Sequence, residues 1–256
     1  MHIQRFCTLL LALTTPVSFR LAAQSGKKPV VPQPYQAEFL ITSVQTLANG
    51  TTITHKTRRI EARDADGRQV TISISVSPIG GGPSEVDGQM SDPRDGSATF
   101  WMSRTHEAWI HELPPPEQRH GCWQGPGYAR NYGYGPAQHR TDSAGSGRTV
   151  VAENLGTRIV HGIEAEGVRR TTTIPKGQMG NDAPLVTTRE EWWDRPLNLV
   201  IQSETDDPIR GKSSWTLLSL KLGEPDPALF KPPADYKVIV QHMQKVPCTD
   251  LESGKP

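Results

Sequence analysis

The sequence predicts a mainly β, antiparallel fold with little helix, interrupted by a long Gly/Pro/Tyr loop. Three observations carry this. Residues 70 to 76 read Val-Thr-Ile-Ser-Ile-Ser-Val, four β-branched aliphatics alternating with three hydroxyl residues. A period of two places all four aliphatics on one face of a strand, whereas a helix would scatter them around its circumference. Short runs of the same character recur between Asn-Gly, Asp-Gly and Pro-containing turns. Beyond the N-terminal leader, no amphipathic helical period persists for ten residues.

Residues 1 to 23 come first. A basic start at Arg5, the short apolar run Phe6 to Leu13 and the small pair Ala22-Ala23 follow the order of a secretory signal peptide. Its apolar run is far shorter than the roughly 20 residues of a membrane-spanning helix. Cleavage is expected between Ala23 and Gln24, giving a periplasmic or secreted protein without an integral membrane span. Arg5 and Arg20 leave with the leader, so 28 bases and 27 acids become 26 and 27, a formal charge of −1. A near-neutral chain without a dense basic cluster argues against a nucleic-acid partner. Two cysteines stay with the mature chain, Cys122 and Cys248. In an oxidising compartment they are a candidate disulfide, and two free thiols are the alternative. Neither has the CxxC spacing of a zinc or redox site.

Residues 24 to 34, with the run Pro-Val-Val-Pro-Gln-Pro, form a linker, and a single β domain is expected over 35 to 240. Asn49-Gly50 marks the first hairpin turn, because both residues tolerate positive φ. Asp64-Ala65-Asp66-Gly67 marks the second, so the opening is a three-stranded meander with Val70, Ile72 and Ile74 facing the core. Pro78 to Gly96 reads as turn-rich and mobile. Residues 98–102 and 108–111 form a shorter hairpin. Residues 114 to 147 hold few aliphatics and are expected to be a disordered insertion, in which Tyr128, Tyr132 and Tyr134 are available for weak binding. Strands resume at Thr149, at 164–174, at 186–193 paired with 197–203, and at 215–222. Glu224 to Phe230 reads as one helical turn with proline near its start, and residues 241 to 256 as a C-terminal tail.

The C-terminal half carries a resemblance. Trp192-Trp193-Asp194, Leu197-Asn198-Leu199, the turn from Asp207 to Gly211 and the strand 215–222 stand in that order. Pro225-Asp226, Leu229-Phe230, Pro232-Pro233, Asp235-Tyr236 and Val238 follow them. This arrangement resembles the end of the outer-membrane lipoprotein-carrier superfamily, including its periplasmic stress-sensor relatives. Residues 155 to 175 are also similar to a secreted bacterial group of unknown function. The resemblance implies a strongly curved antiparallel sheet, a half-open barrel whose concave side takes an acyl chain or a lipidated protein. The superfamily's N-terminal and plugging helices have no counterpart in the sequence. Trp192, Trp193, Leu199, Trp215 and Phe230 are the candidate ligand-binding residues.

Catalytic patterns fall short on spacing or setting. His106-Glu107-Ala108-Trp109-Ile110-His111 is one residue too long for H-E-x-x-H, in which two histidines share a helical face. Gly211-Lys212-Ser213 lacks the earlier glycine of a phosphate loop and precedes a strand, not a helix. Glu164 and Glu166 lie on one strand, not across a cleft as a glycosidase pair would. His120 and Cys122 sit in a Gly-rich loop unsuited to nucleophilic geometry. No G-x-S-x-G elbow is present. These readings predict a non-enzymatic protein with no metal and no cofactor, which binds or senses an apolar or lipidated ligand. A protein-interaction module working through the aromatic loop is the alternative, and a hydrolase assembled only by the fold is the third reading.

Overall fold

A computed structural model describes residues 33–75, 85–94, 96–112, 122–124, 147–242 and 244–246. The leader, its cleavage point, nearly all of the linker, the loop tyrosines and Cys248 lie outside the described residues. The strands are β1 (Tyr35–Thr46), β2 (Thr52–Arg63), β3 (Gln69–Ser75), β4 (Glu85–Ser91), β5 (Ala98–Met102), β6 (Glu107–Glu112) and β7 (Cys122–Gln124). They continue as β8 (Thr149–Val160), β9 (Ile163–Ile174), β10 (Leu185–Asp194), β11 (Leu199–Asp207), β12 (Gly211–Leu222), β13 (Lys237–His242) and β14 (Gln244–Val246). Twelve of them form one curved sheet in the order β13-β6-β5-β4-β3-β2-β1-β12-β11-β10-β9-β8, which does not close into a barrel. The chain is mainly β, and the one helical element among the described residues is a 3₁₀ turn at Pro227–Phe230.

Two meanders make up the sheet. β1 to β6 run antiparallel in sequence order, as do β8 to β12, and β1 pairs with β12 to fuse them. Local chemistry sets each turn. Between β1 and β2, Gly50 takes φ 83° and Asn49 Oδ1 accepts from Thr51 N at 3.0 Å. Between β2 and β3, Gly67 takes φ 81° and the Asp64 carboxylate accepts from both the backbone and the guanidinium of Arg68. On β3 burial is deepest at Val70, 2% exposed, with Ile72 packed against the same cluster and Ile74 half-buried.

The region between Pro78 and Gly96 corrects the sequence reading, because it contains β4. Val86, Gly88 and Met90 alternate with Glu85, Asp87 and Gln89, but the glycine and three polar residues hide the period. Gly88 pairs with Trp101 on β5, and a Cβ at position 88 would lie 1.9 Å from the Trp101 ring. The indole occupies the space that a strand-forming side chain would have filled. A second correction is Leu197, which lies in the turn between β10 and β11 and not in a strand. Asn198 there takes φ 54°, and Leu197 N donates to Asp194 Oδ1 at 3.2 Å.

After β12 the chain crosses the sheet to its far edge. Seven inter-strand spacings of about 4.8 Å span about 34 Å. Residues 223–236 can extend over about 46–50 Å, which leaves slack for the 3₁₀ turn. Asp226 caps that turn by accepting from Ala228 N at 2.9 Å. Pro232 and Pro233 have no N–H to give a ladder, and strand structure resumes only at β13, which pairs in parallel with β6. The crossing lays Phe230, 3% exposed, into a cluster of Ala62, Val70, Trp101 and Ala108, flanked by Leu229 and Tyr236. A second cluster gathers Tyr35, Ala37, Phe39, Trp192, Leu199, Ile201 and Leu217 where β1 meets the C-terminal meander. Cys122 pairs through its backbone with Val246, within the short β7–β14 ladder.

Candidate functional site

Register builds the site. Ile41 on β1 pairs with Trp215 on β12, Trp215 with Ser203 on β11, and Ser203 with Glu191 on β10. The next row on the same face runs Ser43, Ser213, Thr205 and Arg189. Across β1 on its other side, Tyr35 pairs with Arg63 and Ala37 with Glu61 on β2. Directly opposite residues share a face, so this face carries aromatic, hydroxyl and charged side chains together. Most of them line a cavity of about 510 Å³, within the roughly 300–1,000 Å³ usual for small-molecule sites. Its apolar walls are Tyr35, Ile41, Trp193, Leu199, Val200 and Trp215, and its charged side chains are Glu61, Arg63 and Arg189.

A β-bulge shapes one wall. The β10–β11 ladder shifts between Trp192 and Trp193, which pair with Gln202 and Val200 and leave Ile201 as the extra residue. Bulges re-aim side chains, and here Trp193 and its partner Val200 both line the cavity. Trp192 turns away. It is 4% exposed, lies over Gly167 on β9 and donates Nε1–H to Glu190 Oε1 at 2.8 Å. The Arg158 guanidinium covers its other side, 3.7 Å from the ring centroid. Of the five residues singled out from sequence, Trp193, Leu199 and Trp215 therefore line one cavity. Trp192 packs beneath it, and Phe230 belongs to the other cluster.

Of the charges around the cavity, Glu61 and Arg63 are half-buried and Arg189 is exposed. Arg63 stacks 5.0 Å from the Tyr35 ring and donates to the carbonyls of Gln33 and Leu197. Burial, reinforced by the Glu61 charge and opposed by Arg63, pushes the Tyr35 hydroxyl up to about 12. Burial also raises the Glu61 carboxyl above its usual range, against the pull of Arg59. Arg59 Nη1 stands 3.8 Å from Glu61 Oε1, and its guanidinium lies 4.8 Å from the Trp215 ring centroid. Phe39 supports that ring from 4.9 Å. Glu191 is buried and held by Arg170 at 2.5 Å and Arg189 at 2.8 Å.

Tyr35, Arg59, Glu61, Arg63 and Arg189 were not among the residues singled out from sequence. The signal lay in β2, where Arg59, Glu61 and Arg63 alternate with Ile60 and Ala62. A charged stripe registered against the apolar Phe39, Ala37 and Tyr35 marks a face that is polar but enclosed. The catalytic patterns are dispersed. His106 sits in a turn at φ 52°, and His111 is buried on β6, where burial lowers its pKa. Glu164 and Glu166 lie exposed on β9, with Glu166 paired to Arg195 at 2.6 Å. Asp207 accepts from the backbone of Ile209 and Arg210, an ordinary hairpin turn. Among the described residues, no three His, Cys, Asp or Glu side chains gather to hold a metal ion.

No protein-family model matches this chain, and no curated protein matches it. Among solved structures it is similar to MucB of Pseudomonas aeruginosa, in a complex with MucA. The identity is 13% and the TM-score 0.41, over 82% of this chain and 59% of that one. It is also similar to the Mycobacterium tuberculosis lipoprotein LppX, at 13% identity and a TM-score of 0.30 over 77% and 89% of the two chains. A LolA superfamily protein from Nitrosomonas europaea matches at 8% identity and a TM-score of 0.30, over 78% and 90%. The chain thus spans about 59% of the length of the MucB chain that it matches.

Proposed function

We propose that this chain is an exported, non-enzymatic protein that binds an apolar or lipid-bearing ligand in the cavity walled by Tyr35, Trp193 and Trp215. The observation that carries this reading is the cavity itself. Three aromatic rings and three aliphatic side chains converge on about 510 Å³ of open space on one face of an unclosed sheet. Aromatic walls contribute large apolar area at low entropic cost, and a few placed polar groups orient what they enclose. The periplasmic or secreted location rests on the leader, with cleavage between Ala23 and Gln24, and N-terminal sequencing of the exported protein tests it.

The binding reading is tested by native mass spectrometry of the purified protein and by titration with the neutral dye N-phenylnaphthylamine. Co-purified lipid and saturable dye fluorescence are expected. Trp193→Ala should weaken the dye by about tenfold, since losing a buried aromatic contact removes about 1.5–3 kcal/mol and 1.4 kcal/mol is a factor of ten. Absence of lipid together with dye binding that ignores Trp193→Ala would defeat the proposal.

A further inference from the structure

The hairpins that wall the cavity share a second feature at one end. Apart from Gln69 on β3, the lining residues lie on β1, β2, β10, β11 and β12 or in the β10–β11 turn. The register brings the β1–β2, β11–β12 and β9–β10 turns to the same end of these strands. Among the described residues, each turn leaves one large apolar side chain exposed: Leu47 at 39%, Ile209 at 57% and Met179 at 63%. A single exposed apolar residue is ordinary, but here one stands at each of three successive tips. The opposite end differs. There the β10–β11 turn folds Leu197 inward to 2% exposure, and the β2–β3 turn, Asp64 to Arg68, has no large apolar residue.

The tips are also prepared to leave water. Leu47 N donates to Thr51 O at 2.8 Å, Ile209 N to Asp207 Oδ1 at 2.8 Å and Met179 N to Asn181 Oδ1 at 2.9 Å. Each apolar residue thus carries a paired amide, and unpaired amides are what make backbone costly in a water-poor medium. Neighbouring tips stand two inter-strand spacings apart, about 10 Å. Three separated side chains do not make the contiguous apolar patch that marks a protein partner's site, whereas each fits singly between lipid headgroups. Charge selects the surface. Around the three turns Lys176 and Arg210 are matched by Asp182 and Asp207, so nothing favours an anionic membrane over a zwitterionic one.

We propose that this end of the sheet docks on a zwitterionic lipid bilayer, with Leu47, Ile209 and Met179 entering the interface between headgroups and acyl chains. Apolar area, not charge, holds the protein there, and the strands that wall the cavity stand on the lipid.

Flotation of the purified protein with phosphatidylcholine vesicles, at low and at high salt, tests this. The protein should float with the vesicles, and salt should change the bound fraction by less than about twofold, because screening acts on charges. The triple variant Leu47→Ser, Ile209→Ser, Met179→Ser should bind about tenfold more weakly or worse, since each substitution removes apolar area from the interface. Ile159→Ser and Leu222→Ser, at residues 67% and 60% exposed toward the opposite end, should bind as the parent does. No flotation, flotation only with anionic phosphatidylglycerol and lost at high salt, or a triple variant that floats like the parent overturns the proposal. So does equal weakening by the opposite-end variants. N-phenylnaphthylamine reports the cavity separately and should bind all variants alike, because none of the five residues lines it. Absence of dye binding counts against the cavity reading alone.

Discussion

The N-terminal and C-terminal meanders solve the same packing problem and then diverge. In each, a buried tryptophan lies over a glycine directly across the ladder: Trp101 over Gly88 on β4, and Trp192 over Gly167 on β9. The missing side chain gives the indole its bed. What lies above differs. In the N-terminal meander the chain's own crossing segment covers the cluster with Phe230, which the Arg68 guanidinium flanks at 5.0 Å from its ring. Where β1, β11 and β12 meet, no described segment fills the space before Trp215 and Trp193, and a cavity remains. In one half the described crossing segment covers the cluster, and in the other a cavity stays open among the described residues.

The largest expected effect breaks the closed half. Phe230→Ala should cost about 3–5 kcal/mol, the range for truncating a buried phenylalanine, measured by urea denaturation. Dye binding in the cavity should not change, because Phe230 is not among the residues that line it. Increased dye affinity in this variant would mean that the two regions are not separate.

Next come the two glycines. Gly88→Ala and Gly167→Ala each force an overpacked core, at about 1–3 kcal/mol. The new Cβ would lie 1.9 Å from Trp101 but 2.6 Å from Trp192, so Gly88→Ala should be the more destabilising. A reversed order in thermal melts would show that Trp192 is the more rigidly held ring.

Opposite pH dependences should distinguish the regions further. Burial raises the Glu61 carboxyl above 4.5. The folded state therefore keeps a proton that the unfolded chain releases, and this residue's contribution to stability falls as pH rises from about 4.5 through the folded value. Asp92, in the β4–β5 turn, is lowered from 3.8, chiefly by its hydrogen bond from the Arg94 side chain. Its contribution is present above 3.8 and lost as pH falls through the lowered value. Stability measured against pH should therefore flatten on the alkaline side of 4.5 in Glu61→Gln and on the acid side of 3.8 in Asp92→Asn. Matching profiles for the two variants would contradict the assigned environments.

The smallest effect belongs to the exposed pair Arg195–Glu166, which are 49% and 52% exposed at their side chains. Glu166→Gln should change stability by about 0–1 kcal/mol and leave dye binding unaltered. A larger loss of dye binding would mean that this carboxylate takes part in the site.

Much of the sheet was legible because its determinants are local. The alternation of Val70, Ile72 and Ile74, the Asn49-Gly50 and Asp64–Gly67 turns, and the helical turn with proline near its start each act within a few residues. The turns fall where the sequence places them, Val70 is buried with Ile72 packed against its cluster, and Ile74 is only half-buried. One exception, β4, was hidden because its central position is a glycine, which leaves room for Trp101 from another strand. The site was only half visible. A doublet such as Trp192-Trp193 shows that the two rings face apart, but the bulge at Ile201 decides which of them reaches the cavity. The resemblance marks Phe230 for the ligand site, yet which cluster it enters depends on a crossing over seven inter-strand spacings.

Local propensity, turn chemistry and period thus determined, from sequence alone, that this chain is antiparallel β with a proline-bound closing segment. Only the tertiary structure decided that β1 pairs with β12, and so that Tyr35, Arg59 and Glu61 from one half stand beside Trp215, Leu199 and Trp193 from the other. That pairing joins residues more than 150 positions apart. Its energy comes from burying Phe39 against Leu217 and Trp215, a complementarity between distant surfaces that no local period encodes.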